Sequence, residues 1–271
     1  MNNKIGLITD VHANLEALKA VLIDLKAKGV DTIYSLGDSI GLGYAPKETL
    51  DLIMDNNITN ILGNAEAYIT MGADYFPYLK RDNSERYDNA IWTSKQLTKK
   101  QIEYLKECPN TIELTINDEK IALCHFPIDV RYDFLGAKRY GGEYPEEFLN
   151  TNTRYDEQKY NEELQDNVAI AEKDPLFFGK TISYYDHVIY GHYHFERNHE
   201  LRGTKLHCLN GTGVAINDKA IYYILESNES GIELKRYEVP YDYEKAFKET
   251  EAIDFPNKDT FKKYINWRSL W

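Results

Sequence analysis

The stretch KIGLITDVHANLEALKAVLIDLKAKG, residues 4–29, carries two periodicities in succession. KIGLIT is a short apolar run of strand length, and Leu15, Leu18, Val21, Leu22 and Leu25 then recur at helical spacing until Gly29 offers a stop. The pattern repeats downstream. TIYSLG reads as a second strand, Pro46 suits the first position of a helix whose apolar face carries Leu50, Ile53 and Met54, and ITNIL reads as a third strand. This βαβαβ opening predicts an α/β fold with a parallel sheet and right-handed crossovers.

Beyond it, Ser84 to Glu107 forms a polar helical stretch with Tyr87, Ile91, Trp92, Leu97, Ile102 and Leu105 on its buried side. TIELTI and KIALC, separated by NDE, then DHVIY, KLHCL, AIYYIL and IELKRYEV read as strands with short turns, which predicts a second sheet, mixed or antiparallel. Residues 127–185 are rich in charge and tyrosine, show no strong period outside a helix near Glu157 to Lys173, and read as a lid-like insertion over one end of the core. The polar segment from Pro240 onward, residues 240–271, reads as a helical C-terminal appendage. No repeat or linker divides the chain, so residues 1–271 are expected to form a single domain.

A chain of 271 residues with 42% hydrophobic content can bury a substantial core. Its net charge of −12, from 32 basic and 44 acidic residues, argues against gripping a nucleic-acid polymer over many phosphates. Cys108, Cys124 and Cys208 are odd in number and lack a CxxC, so neither a disulfide framework nor a zinc-thiolate site is indicated. No segment approaches the roughly 18 apolar residues of a membrane span. The expectation is a soluble, cytoplasmic protein with no membrane partner.

Five short motifs fall at the carboxyl ends of the expected strands: Asp10-Val11-His12, Gly37-Asp38, Gly63-Asn64, Cys124-His125 and Gly191-His192-Tyr193-His194. Ligands of open α/β sheets bind there, so residues distant in sequence would converge. Each motif alone is more often structural, and Asn64 alone would be a turn or cap residue. Together they offer two carboxylates, one amide oxygen and four imidazoles, a mixed O/N set suited to first-row divalent metals. Seven side chains are many for one ion. Two ions sharing a carboxylate would use them all and leave positions for water, an arrangement that activates a hydroxide and clamps a phosphoryl group. In extended backbone, residues i and i+2 point the same way, which would bring Asp10 with His12, and His192 with His194, into one volume.

In this order the motifs resemble those of the calcineurin-like metallophosphoesterase superfamily. The stretches TDVHANLEAL, LGDSIGLGYAPKETL and VIYGHYHFE are most similar to its small bacterial phosphodiesterases and dinucleoside-polyphosphate hydrolases, and LNGTGV resembles their NPGSVG segment without the proline. The resemblance covers roughly residues 4–125 and 186–238. It implies a four-layer α/β/β/α sandwich of two mixed sheets and two divalent transition-metal ions, manganese first, with iron, zinc, nickel or cobalt as alternatives. One ion would be held by Asp10, His12, Asp38 and His194, the other by Asp38, Asn64, His125 and His192, with Asp38 as the bridge and Asp38, Asn64 and His125 at the catalytic centre. Gly63 would let the backbone approach closely.

The family pattern places a histidine after the asparagine, to protonate the leaving group or hold phosphoryl oxygens, whereas this chain reads GNAE with Ala65 there. General acid help is typically worth about 10² to 10⁴ in rate. A phosphate leaving group, ionising near a pKa of about 6, needs it far less than an alkoxide does. The expected reaction is therefore hydrolysis of phosphoanhydride or phosphodiester bonds in small nucleotides, dinucleoside polyphosphates above all, by a hydroxide bridging the metals. His187, His199 and His207 are simpler to read as strand-edge or surface residues than as replacements. Substrate contacts are expected from Tyr44, Glu66, Arg131 and Arg139, with Arg81 another candidate and Tyr132, Tyr140 and Tyr144 able to stack a base. Two alternatives stay open: a general phosphodiesterase or protein or monoester phosphatase, and a non-catalytic metal-binding scaffold on the same fold.

Overall fold

The computed structural model describes residues 4–76, 79–80, 83–126, 182–201, 203–214, 218–228 and 231–265. The expected insertion lies outside them up to residue 181, including Arg131, Arg139, Tyr132, Tyr140 and Tyr144, as does Arg81.

The opening forms as the periodicities predict. Strand β1 (Lys4–Ile8) leads through helix α1 (Leu15–Ala27) to β2 (Thr32–Ser35), and α2 (Pro46–Asp55) leads to the short β3 (Thr59–Asn60). Asn14 caps α1 by accepting the Ala17 N–H at 3.2 Å, and Pro46 opens α2 where its missing N–H costs nothing. Helix α3 (Asn64–Thr70) follows, and the polar stretch divides into α4 (Ser84–Gln96) and α5 (Lys99–Lys106). The break comes at Thr98, whose side chain and Gln101 form a capping box that starts a new helix.

Strands β4 (Thr111–Ile116), β5 (Glu119–Cys124), β6 (His187–Tyr190), β7 (Arg197–Leu201) and β8 (Thr204–Cys208) make one mixed sheet in the order β4-β5-β6-β8-β7. Strands β9 (Lys219–Asn228) and β10 (Gly231–Pro240) do not join it. They return to the first sheet, in the order β10-β9-β1-β2-β3, with β9 antiparallel to β1. AIYYIL and IELKRYEV thus extend the parallel sheet rather than the second one. Two helices close the described chain, α6 (Tyr243–Ala252) and α7 (Lys258–Ile265).

Alternation along the strands explains the layering. Leu7, Leu36, Ile61, Ile121, Leu123, Ile189, Tyr223 and Leu225 meet in one cluster between the two sheets. Their neighbours Ile8, Tyr222 and Ile224 face the other way, onto Leu18, Val21 and Leu25 of α1. Likewise Ala122, Cys124, Val188 and Tyr190 turn to the outer face of the second sheet, in a cluster that draws no residue from a described α-helix. No described α-helix covers that face, so the fourth layer of the expected sandwich is not seen among the described residues. No described helix is long and apolar enough to cross a membrane.

Candidate metal centre

Each motif sits just past the end of a strand: Asp10 after β1, Asp38 after β2, Asn64 after β3, His125 after β5, and His192 and His194 after β6. The approach is not the extended one. Asp10, His12, Asp38, His192 and His194 have φ of 49, 48, 51, 73 and 64°, in the left-handed region that costs a non-glycine residue roughly 1–3 kcal/mol. Sharp turns, not i/i+2 alternation, bring Asp10 to His12 and His192 to His194. The turns are tied to one another. Asp10 N–H donates to Gly37 O at 3.0 Å, His12 N–H to Asp38 O at 2.9 Å, Gly191 N–H to His125 O at 3.0 Å and Gly213 N–H to Asp10 O at 3.1 Å. The LNGTGV segment thereby buttresses the Asp10 turn.

The seven side chains converge. Asp10 Oδ1, buried without a hydrogen bond, faces His194 Nε2 at 3.3 Å and His12 Nε2 at 3.8 Å, and the two imidazole nitrogens are 3.0 Å apart. Across the centre, Asn64 Oδ1 lies 3.2 Å from His125 Nε2 and 3.0 Å from His192 Nδ1. Asp38 faces both groups, with Oδ2 at 3.8 Å from His12 Nε2 and Oδ1 at 3.6 Å from His125 Nε2. The ligand atoms of Asp10, His12 and His194 lie within 4.8 Å of one another, as do those of Asp10, Asp38 and His125.

Surrounding groups set the donors. His125 Nδ1 donates to the Leu36 carbonyl at 2.9 Å, which fixes the tautomer and leaves Nε2 as a bare lone pair. Thr9 Oγ1 and the His192 N–H both donate to Asp10 Oδ2, at 2.7 and 2.9 Å, so Oδ1 is the oxygen turned inward. A crowd of buried acceptors with few protons between them is the environment a divalent cation satisfies, and this mixed O/N donor set fits such an ion.

Electrostatics point the same way. Burial and neighbouring imidazoles push His12 and His192 well below the usual histidine range, which keeps their lone pairs available. Burial opposes the Asp10 charge, but His194, His125 and His12 outweigh it and hold that carboxyl below its usual range. Asp38 is pushed up, by burial first and then by repulsion from Asp10. Burial would lower His125, yet Asp38, Asp10 and Glu66 together raise it.

The expected substrate contacts fare differently. Glu66 is fully buried, and its carboxylate accepts the N–H groups of Asp38 at 2.9 Å, Ser39 at 2.8 Å and Gly63 at 2.9 Å. Its oxygens are engaged in binding the Asp38 turn to the start of α3, which is a positioning task. Burial and the Asp38 charge raise its carboxyl to about 7. Tyr44 is buried among Leu42, Ala246 and Phe261, a packing residue under the C-terminal helices. His187 begins β6, at the end opposite His192, and stacks on His207 at 5.2 Å. Sequence reasoning missed Arg86 of α4, which lines a cleft with His12 and Ala65. Nothing in the apolar pattern of its polar helix marks it.

Residues 4–227 match the calcineurin-like phosphoesterase superfamily domain. A stretch of 125 residues is 34% identical to an uncharacterized protein of Methanocaldococcus jannaschii, covering 46% of this chain and 50% of that protein. The chain thus spans about half the length of the curated relative it matches. Among solved structures, a hypothetical protein from Pyrococcus horikoshii is similar with a TM-score of 0.68 at 17% identity, over 96% of this chain and 97% of that one. A metallophosphoesterase from Sphaerobacter thermophilus is similar with a TM-score of 0.60 at 22% identity, over 98% of each chain. At such identities these two speak for the fold alone. With a domain match across most of its length and the strand-end Asp/His cluster in place, the chain belongs to the calcineurin-like phosphoesterase superfamily.

Proposed function

We propose that this protein is a dinuclear metal-dependent hydrolase of phosphoanhydride or phosphodiester bonds in small nucleotides, with dinucleoside polyphosphates as the best-matched substrates. The observation that carries the reading is the convergence of Asp10, His12, Asp38, Asn64, His125, His192 and His194 on one buried point, their lone pairs turned inward. Two divalent ions held there, manganese by preference, would lower the pKa of a water and offset phosphoryl charge.

The chain's own residues supply the rest. Asp38, with one oxygen toward each group, would be shared between the two ions. His125 and Asn64 hold the side of the centre that Leu36 O orients, and Glu66 keeps Asp38 and Asn64 in register through three backbone N–H groups. Ala65 offers no proton, and its backbone N–H is already donated to Asp38 Oδ1 at 2.7 Å. Leaving groups that depart as stable anions, phosphate above all, are therefore favoured over alkoxides.

Ala65 also favours a second reading, a metal-binding scaffold without chemistry. The two separate in one assay: hydrolysis of bis(p-nitrophenyl) phosphate by manganese-loaded protein, with a chelator and Asp38→Asn as blanks. The hydrolase reading expects turnover that both blanks abolish. Equal rates in Asp38→Asn would remove the bridging assignment.

A further inference from the structure

Where the family pattern has a histidine, Ala65 leaves a cleft beside His12, and its far wall is built by α4 through Arg86, Asn89 and Thr93. These positions, at i, i+3 and i+7, share one helix face. That face is pinned to the loop after Asp38, because Asn89 Oδ1 accepts the Leu42 N–H at 2.9 Å while Asn89 Nδ2 donates to Pro256 O at 2.8 Å. Arg86 sits in the first turn of α4, where its backbone N–H is held by the Asn83 cap at 3.1 Å. A cation in a first helical turn opposes the helix dipole, so the dipole does not favour an arginine at this position.

We propose that Arg86 is a substrate-contacting residue that binds phosphoryl oxygens in the cleft vacated at position 65. Arg86 lines the same cleft as His12, one of the candidate metal ligands, and Ala65. A guanidinium keeps its proton at any working pH and forks onto two oxygens, so it stabilises charge without acting as an acid. The substitution of an acid by a fixed cation selects substrates whose leaving oxygen is already a good anion, such as a terminal phosphate of a phosphoanhydride. This selectivity rests on the hydrolase reading; the anion site itself does not.

The test is calorimetric titration of metal-loaded protein with inorganic phosphate, comparing wild type, Arg86→Gln and Arg86→Lys, with metal content measured on each sample. Loss of charge-assisted hydrogen bonds predicts phosphate affinity lower by about 10- to 100-fold in Arg86→Gln at unchanged metal content, with Arg86→Lys recovering part of it. Phosphate affinity within about twofold of wild type in metal-replete Arg86→Gln would overturn the proposal, as would a wild type that binds no phosphate. If Arg86→Gln fails to fold, Arg86→Lys alone decides: a wild-type phosphate affinity there overturns the forked contact, and a severalfold loss supports it. Arg86-dependent phosphate binding in a wild type that cleaves no ester or anhydride would sink the hydrolase reading and leave this one standing. Normal turnover with phosphate binding indifferent to Arg86 would do the reverse.

Discussion

Replacing Gly63 with alanine tests how tightly the centre is built. A Cβ at 63 would press deep into Asp38, against both its backbone nitrogen and Oδ1, and would lie 2.7 Å from Glu66 Oε2. Those contacts fall about 1 Å or more inside ordinary van der Waals separation, and two of the three atoms belong to the turn that carries Asp38. The backbone must yield, because the nearest obstruction is the Asp38 backbone nitrogen. Overpacking of this kind costs about 1–3 kcal/mol, and disrupting the Gly63 N–H to Glu66 bond adds about 1.5–3 kcal/mol, so the expected loss is about 2.5–6 kcal/mol. At about 2–4 °C per kcal/mol for a protein of this size, Tm should fall by roughly 10 °C. Gly29→Ala is the control: its φ is 68°, nothing lies within 4 Å of an added Cβ, and only left-handed strain of about 1 kcal/mol is expected. Urea unfolding with metal analysis reads both effects, since moving Asp38 from Asn64 should also lower metal content. A Gly63→Ala protein as stable as Gly29→Ala, with wild-type metal content, would refute the close-approach argument.

Metal removal should destabilise the protein by about 4 kcal/mol relative to ions present at a thousand times their dissociation constant, read as a chelator-induced drop in Tm. Ala65→His should raise turnover of alkyl monoesters more than of anhydrides, measured as the ratio of the two kcat values; equal gains would undo the leaving-group argument. In the chelated protein, His207 is held down to about 4 by burial, then by His187 and Lys205, so the unfolded chain takes up its proton near 6.5 while the folded one does not. Its stability contribution is therefore complete above about 6.5 and lost as pH falls, by about 1 kcal/mol between pH 7.5 and 5.5, and His207→Gln should flatten that slope in urea unfolding curves. Burial raises the Cys124 thiol and pushes Cys108 up to about 12, so neither should react quickly with a disulfide reagent at pH 8 until the protein unfolds.

Local pattern made the opening legible, because KIGLIT and the Leu15 to Leu25 spacing each encode one element and its buried face. The seven side chains that the structure brings together were legible as strand-end motifs because chemistry and position coincide there. What was hidden is non-local or conformational. β7, with the sequence RNHEL, is a polar edge strand defined by pairing with β8, and whether β9 joins the first sheet or the second depends on partners far away in sequence. The helix beginning at Asn64 was masked by a Gly-Asn pair that reads equally well as a turn. The left-handed turns at Asp10, His12 and Asp38 leave no mark in an apolar pattern. Glu66 reads as a substrate contact from its neighbours, whereas its carboxylate is bound up by three backbone N–H groups.

The most direct measurement of the central claim is chromatographic product analysis after incubating manganese-loaded protein with diadenosine tetraphosphate, with Asp38→Asn as the blank. ATP plus AMP, or two ADP, formed by the wild type and absent from the blank, is the predicted result. No product from protein shown to hold its metals would contradict the assignment of anhydride hydrolysis to this centre.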